Sequence, residues 1–210
     1  MWDYARSDQG LVSVRPKLLI FAKAPRMGLA KTRLAQGVGK VAAWRTKRRL
    51  DAFTCRVARS TGWETLLAVT PQKDLNVRFP SAWPSDLRRV GQGQGDLGQR
   101  MARALVAFGR APVCIIGSDL PDLKRADLVQ AFSALKRVDV VLGPAKDGGY
   151  WLIGMAPRAA RRAHLAPVRW SSRHTLSDTL ACLPTNWRVK FLRELEDVDD
   201  IASLKRSTQR

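Results

Sequence analysis

The sequence predicts an α/β domain with a mainly parallel sheet and helices on both faces. Three observations lead there. Short continuous apolar runs recur along the chain, as in strands buried on both sides. Segments with helical spacing lie between them. The two kinds alternate rather than cluster, which favours a layered fold with crossover helices. At 210 residues the chain has the length of one domain with a substantial core. Residues 1–15 show no period and are expected to form a loose lead-in, with one domain over 16–210.

Leu18-Leu19-Ile20-Phe21-Ala22 is the first buried strand, followed by a polar, glycine-containing stretch to Lys40. A helix is expected from about Val41 to Ser60, with Trp44, Leu50, Phe53 and Val57 on one face and Arg45, Lys47, Arg48 and Arg49 on the other. Residues 65–70 give a second strand, stopped by Pro71. Residues 71–95 read mostly as loop, with a short strand at 87–90. Leu97, Met101, Leu105 and Phe108 carry helical spacing. Residues 112–117 form the clearest central strand, and 127–136 a helix with Leu128, Val129, Phe132 and Leu135 on one side. Strands follow at 138–142 and 150–155. A closing helix begins near Asp199 or Asp200, either of which can cap it.

Composition narrows the function classes. No apolar run is long enough to span a membrane, and the N-terminus lacks the apolar middle of a signal peptide, so a cytoplasmic protein is expected. Cys55, Cys114 and Cys182 are odd in number and widely spaced, which argues against a disulfide framework or zinc knuckle; Cys114 reads as a core residue. His164 and His174 alone offer little for a histidine metal cage or a Ser-His-Asp triad. The net charge of +19 suits a polyanion binder, yet the arginines are scattered and no zinc-finger or RNP-like motif occurs, so specific nucleic-acid binding is not expected.

Ligands of such sheets bind at the carboxyl ends of the strands, near the point where strand order reverses. Four loops are placed there. "FAKAPRMGLAKTRLA" follows the first strand and offers Lys23, Lys31 and Arg33 around Gly28, a combination suited to phosphates. It is not a P-loop, because Ala30 stands where that motif has its second glycine. "GQGQGDLGQRM" surrounds Asp96 with Gly91, Gly93, Gly95 and Gly98 before a helix. It lacks the strong preceding strand of an NAD site and fits either a nucleotide contact or a helix capped by Asp96. "CIIGSDLPDL" delivers Asp119 at the end of the central strand, where it can bridge Mg²⁺ to phosphates or cap the next turn, as Asp122 equally can. "GPAKDGGYWLIGM" sets Asp147, Gly148 and Gly149 between two strands, either as a tight turn or as a wall that a bulky ligand can approach.

These four motifs, with "VRWSS" and "LEDVDDIASL", occur in the order seen in the DUF2064 family, and from about Leu18 to Leu204 the chain resembles GT-A-type glycosyltransferase-like proteins of the nucleotide-diphospho-sugar transferase superfamily. The K-T-R-L core of the first loop is also similar to 2-phospho-lactate guanylyltransferases. The resemblance implies a Rossmann-like three-layer α/β/α GT-A fold. It implies nucleotide phosphates on Lys23, Gly28, Lys31 and Arg33, with Gly95 and Asp96 near the base or ribose. It implies Mg²⁺ or Mn²⁺ held by Asp119, catalytic roles for Asp119 and Asp147, and an acceptor or sugar side lined by Gly148, Gly149, Tyr150, Trp170 and Ser171. It also implies Asp197 or Asp199 as an additional metal-side carboxylate. The D-x-D of many GT-A enzymes is replaced by Ser118-Asp119-Leu120, a single carboxylate. The implied ligand is a nucleotide or nucleotide-sugar and the implied reaction is sugar transfer, with the acceptor and oligomeric state left open. Nucleotidyl transfer with release of pyrophosphate is the alternative, and a basic polyanion-binding protein without catalysis is the third reading.

Overall fold

A computed structural model describes residues 15–208. Apart from Arg15, the expected N-terminal lead-in lies outside the described residues. The elements are, in chain order, β1 (Lys17–Lys23), α1 (Thr32–Val38), α2 (Lys40–Ala58), β2 (Glu64–Thr70), β3 (Arg88–Gly91), α3 (Leu97–Phe108), β4 (Val113–Gly117), α4 (Arg125–Ala134), β5 (Val140–Pro144), β6 (Tyr150–Met155), α5 (Pro157–Ala160), α6 (Thr175–Ala181), β7 (Val189–Phe191) and α7 (Ile201–Thr208).

The strands form one sheet in the order β3-β2-β1-β4-β6-β5-β7. β1 to β4 are parallel, β6 alone runs antiparallel to its neighbours β4 and β5, and β5 pairs in parallel with β7. The expected mainly parallel α/β sheet is therefore present. The apolar runs are continuous because alternate residues feed two cores. Leu18, Ile20, Leu67, Val69, Cys114 and Ile116 pack on one face with Cys55 and Ala58 of α2 and Leu128, Ala131 and Phe132 of α4. Leu19, Leu66, Ala68, Val113 and Ile115 pack on the other with Met101, Leu105 and Phe108 of α3. Helices thus cover both faces, in three layers.

The structure departs from the sequence expectations in several elements. The stretch before Lys40 contains α1, and the region after Met155 contains α5, α6 and β7, whose short segments carry little periodic signal. In α2 the buried stripe is Ala43, Lys47, Leu50, Asp51, Thr54, Cys55 and Ala58, so Lys47 lies on the inner face and not on the solvated one. A helix with three polar residues in its buried stripe defeats a reading that takes apolar spacing as the guide. Asp200, not Asp199, caps α7: its carboxylate accepts the Ser203 N–H at 2.8 Å. Asp199 is left for another partner.

The chain lays β1, β2 and β3 outward on one side, then returns to place β4 on the other side of β1. The strand order reverses between β1 and β4, and the carboxyl ends of these two strands open into the main cleft. The β5–β6 turn reaches the same end of the sheet because β6 runs back against β5.

Candidate active site

The cleft has a volume of about 720 Å³, within the size range of small-molecule sites. Lys23 and the loop to Arg33 form one side, Ser118 and Asp119 at the end of β4 form the floor, and Asp147, Gly149 and Tyr150 form the far wall. Trp170 and Ser171 stand at its edge, and the segment carrying Asp197 and Asp199 closes it. That segment is held across the strand ends by Val198 N–H donating to the Asp119 carbonyl at 3.1 Å and Lys146 N–H donating to the Leu195 carbonyl, also at 3.1 Å.

At the floor, the Lys31 ammonium lies 2.9 Å from Asp119 Oδ2 and 2.8 Å from Asp199 Oδ1. Its side chain is only 4 % exposed. Burial works against its charge, but Asp119 and then Asp199 outweigh that and hold its pKa above the usual lysine value. Lys31 also adopts a left-handed backbone, φ 57° and ψ 44°, which is uncommon for a residue with a side chain.

Behind Asp119 lies a second, fully buried group. Lys47 Nζ donates to Asp51 Oδ1 at 2.5 Å and to Ser118 Oγ at 2.8 Å, and stands 3.4 Å from Asp119 Oδ1. Trp83 Nε1 donates to the other Asp51 oxygen at 3.0 Å. Asp119 Oδ1 is sealed from solvent and accepts no hydrogen bond among the described residues. Burial pushes the Asp119 pKa up, but Lys47 and Lys31 together more than reverse it, so this carboxyl stays below the usual range and ionised.

Asp197 behaves oppositely. Burial first, then repulsion from Asp199 and Asp147, push it up to about 6. Asp147 uses one oxygen to accept the Gly149 N–H at 2.9 Å. Lys23 and Arg33 form no ion pair among the described residues, and Arg100 Nε donates to the Gly95 carbonyl at 2.7 Å while its side chain lines the cleft.

A divalent cation fits the chemistry of this floor. Asp119 and Asp199 already converge on one cationic group, and both offer hard oxygen ligands. Among the described residues no three His, Cys, Asp or Glu side chains form a closed cage. A site of two carboxylates completed by ligand oxygens is the pattern Mg²⁺ favours.

Of the residues singled out from sequence, Lys23, Lys31, Arg33, Asp119, Asp147, Gly149, Tyr150, Trp170 and Ser171 line the cleft. Gly28, Gly95, Asp96 and Gly148 do not. Asp96 accepts the Gln99 N–H at 2.8 Å while the Gln99 side chain accepts the Asp96 N–H, a reciprocal cap on α3. Gly148 has φ 86°, and a Cβ there would sit 2.4 Å from the Arg173 carbonyl oxygen, so its lack of a side chain admits a neighbouring loop rather than a ligand. Lys47, Gln92 and Arg100 line the cleft without having been singled out. For Lys47 the available signal is its spacing of four from Asp51 on one helix.

The fold is that of the nucleotide-diphospho-sugar transferases, with its cleft at the reversal of strand order. A family model described as "Uncharacterized protein conserved in bacteria (DUF2064)" matches residues 53–172, more than half of the sequence, and the chain belongs to that family. A "putative nucleotide-diphospho-sugar transferase" from Desulfovibrio desulfuricans G20 is similar at 28 % identity and a TM-score of 0.81, covering 90 % of this chain and 84 % of that one. The 4-diphosphocytidyl-2C-methyl-D-erythritol synthase of Anaerococcus prevotii DSM 20548 shares the fold at 13 % identity and a TM-score of 0.57, over 93 % and 96 %. Rv0371c of Mycobacterium tuberculosis H37Rv, solved as a manganese complex, does so at 15 % and 0.55, over 93 % and 98 %. A comparison with the curated proteins returned no match. No helix of the described residues is long and apolar enough to cross a membrane.

Proposed function

We propose that this chain is a cytoplasmic transferase whose cleft binds a nucleotide-sugar and a divalent cation and passes the sugar to an acceptor. One observation carries the reading: Asp119 and Asp199 converge on a single cation position at the strand-order reversal, beside Lys23 and Arg33, which have no ion-pair partner among the described residues. The site draws on residues from Lys23 to Asp199, which supports one catalytic domain over 16–210. The similarity to the Desulfovibrio protein supports the donor class.

Asp119 and Asp199 would hold Mg²⁺ or Mn²⁺, which when bound offsets the charge growing on the departing diphosphate. Lys23 and Arg33 bind the phosphate chain, and Arg100 adds a third cation. Lys47 keeps Asp119 ionised from behind. Gly28, Gly95 and Asp96 act from outside the cleft wall, by shaping the loops that carry these groups. An acceptor oxygen replaces the diphosphate oxygen on the sugar carbon. The broken bond leaves its electron pair on the phosphate, and the acceptor proton passes to Asp147, which lines the same cleft. Tyr150, Gly149, Trp170 and Ser171 bound the space for sugar and acceptor.

A panel of nucleotide-sugars with Mn²⁺, read by thermal shift and by nucleoside diphosphate release, tests this. Asp119→Asn is expected to lower turnover about 10²- to 10³-fold with the fold retained. Metal-dependent nucleotide binding that persists unchanged in Asp119→Asn overturns the site assignment. Three cations also suit a triphosphate, which favours nucleotidyl transfer as the second reading; release of pyrophosphate instead of nucleoside diphosphate decides for it. Salt-sensitive polyanion binding indifferent to Asp119→Asn decides for a non-catalytic protein.

A further inference from the structure

At the floor of the cleft two carboxylate oxygens converge on one position, and a lysine occupies it. Asp119 Oδ1 faces Lys47 and has no access to the cleft. The remaining oxygen, Oδ2, and Asp199 Oδ1 both point at the Lys31 ammonium. A divalent ion held jointly by Asp119 Oδ2 and Asp199 Oδ1 comes to the point where Lys31 Nζ lies. An ammonium and a dication cannot share two oxygens without strong repulsion.

We infer that Lys31 and the divalent cation compete for Asp119 and Asp199, so that metal binding requires Lys31 to swing out of the floor and toward the phosphates. The inference rests on the proposed reading of the site and adds an order to it: phosphate binding, by giving Lys31 another partner, opens the metal position. The backbone supports such a movement. Lys31 sits in the left-handed region at the start of α1, with no side chain capping that helix, and Gly28, three residues earlier, has φ 78° with open space around it. A residue held in a sparsely populated conformation by two ionic contacts has less to keep it there once those contacts pass to another cation. Asp199 is half exposed, which gives an entering ion a route.

Mn²⁺ alone, titrated into the full chain and followed by electron paramagnetic resonance, is the test. Lys31→Met removes the competing charge at similar length and is expected to bind Mn²⁺ at least about tenfold more tightly than the wild type. Asp199→Asn is expected to bind it more weakly. A second measurement uses the wild type and is independent of any folding defect in the variant. Acylation of Lys31 by an N-hydroxysuccinimide ester, quantified by mass spectrometry, is expected to rise several-fold at saturating Mn²⁺. Equal or weaker Mn²⁺ binding by a folded Lys31→Met variant overturns the inference, as does Lys31 labelling that Mn²⁺ leaves unchanged. Absence of Mn²⁺ binding in every variant also overturns it, whereas the nucleotide reading stands or falls separately on product release from nucleotide-sugars.

Discussion

Replacing Asp197 with asparagine removes a charge that the folded protein holds under repulsion. Its pKa stands at about 6 against an ordinary 3.8, raised by burial first and then by Asp199 and Asp147. The folded state therefore binds this proton more tightly than the unfolded chain does. Between about pH 4 and pH 6 it holds the extra proton, stability falls as pH rises through that window, and the full cost is present above about pH 6. A shift of about two units corresponds to roughly 3 kcal/mol at most, and partial solvent exposure reduces this to about 1–2 kcal/mol. Urea unfolding in chelator at pH 7.5 and pH 4.5 measures it. Asp197→Asn is expected to be the more stable protein by about 1–2 kcal/mol at pH 7.5, with the difference gone at pH 4.5. An asparagine variant that is no more stable at pH 7.5, or whose advantage grows in acid, refutes the account of this carboxylate cluster.

Lys47→Met leaves Asp51 buried without its partner and is expected to lose roughly 3–5 kcal/mol in chemical denaturation, most of it recovered when Asp51→Leu is added. Gly148→Ala combines a positive φ with a contact at 2.4 Å to the Arg173 carbonyl, and a loss of roughly 1–3 kcal/mol is expected in a thermal melt. Gly149→Ala, where the nearest atom is Asp147 Oδ1 at 3.1 Å, is expected to cost less stability and to disturb turnover more.

The parallel sheet was legible because runs such as residues 18–22 and 112–117 are apolar at every position, which only a strand covered on both sides requires. Asp119 was legible for a related reason: it is the first carboxylate beyond such a run. Lys47 and Asp51 were not. On a helix a charged pair four apart reads as a solvated bridge, and only the tertiary packing of α2 against β4 turns it inward, onto Ser118. Asp199 and Asp200 are chemically identical neighbours. Which one caps α7 and which one meets Lys31 depends on the path of the loop from Val198, and composition carries no trace of that. Gly148 and Asp96 show the converse: motif residues beside a site that serve the backbone of the loops around it.

The Lys31–Asp199 contact joins positions 168 residues apart. During synthesis, the phosphate-side loop and the central strand emerge long before the segment that completes the floor. A chain halted ahead of Asp197 already contains every strand of the sheet yet lacks the second carboxylate, so Lys31 has Asp119 alone. The proposed cation position is thus completed only by a segment that follows the last strand, and a chain halted there also lacks Val198, which packs with Leu34, Ala43 and Leu50.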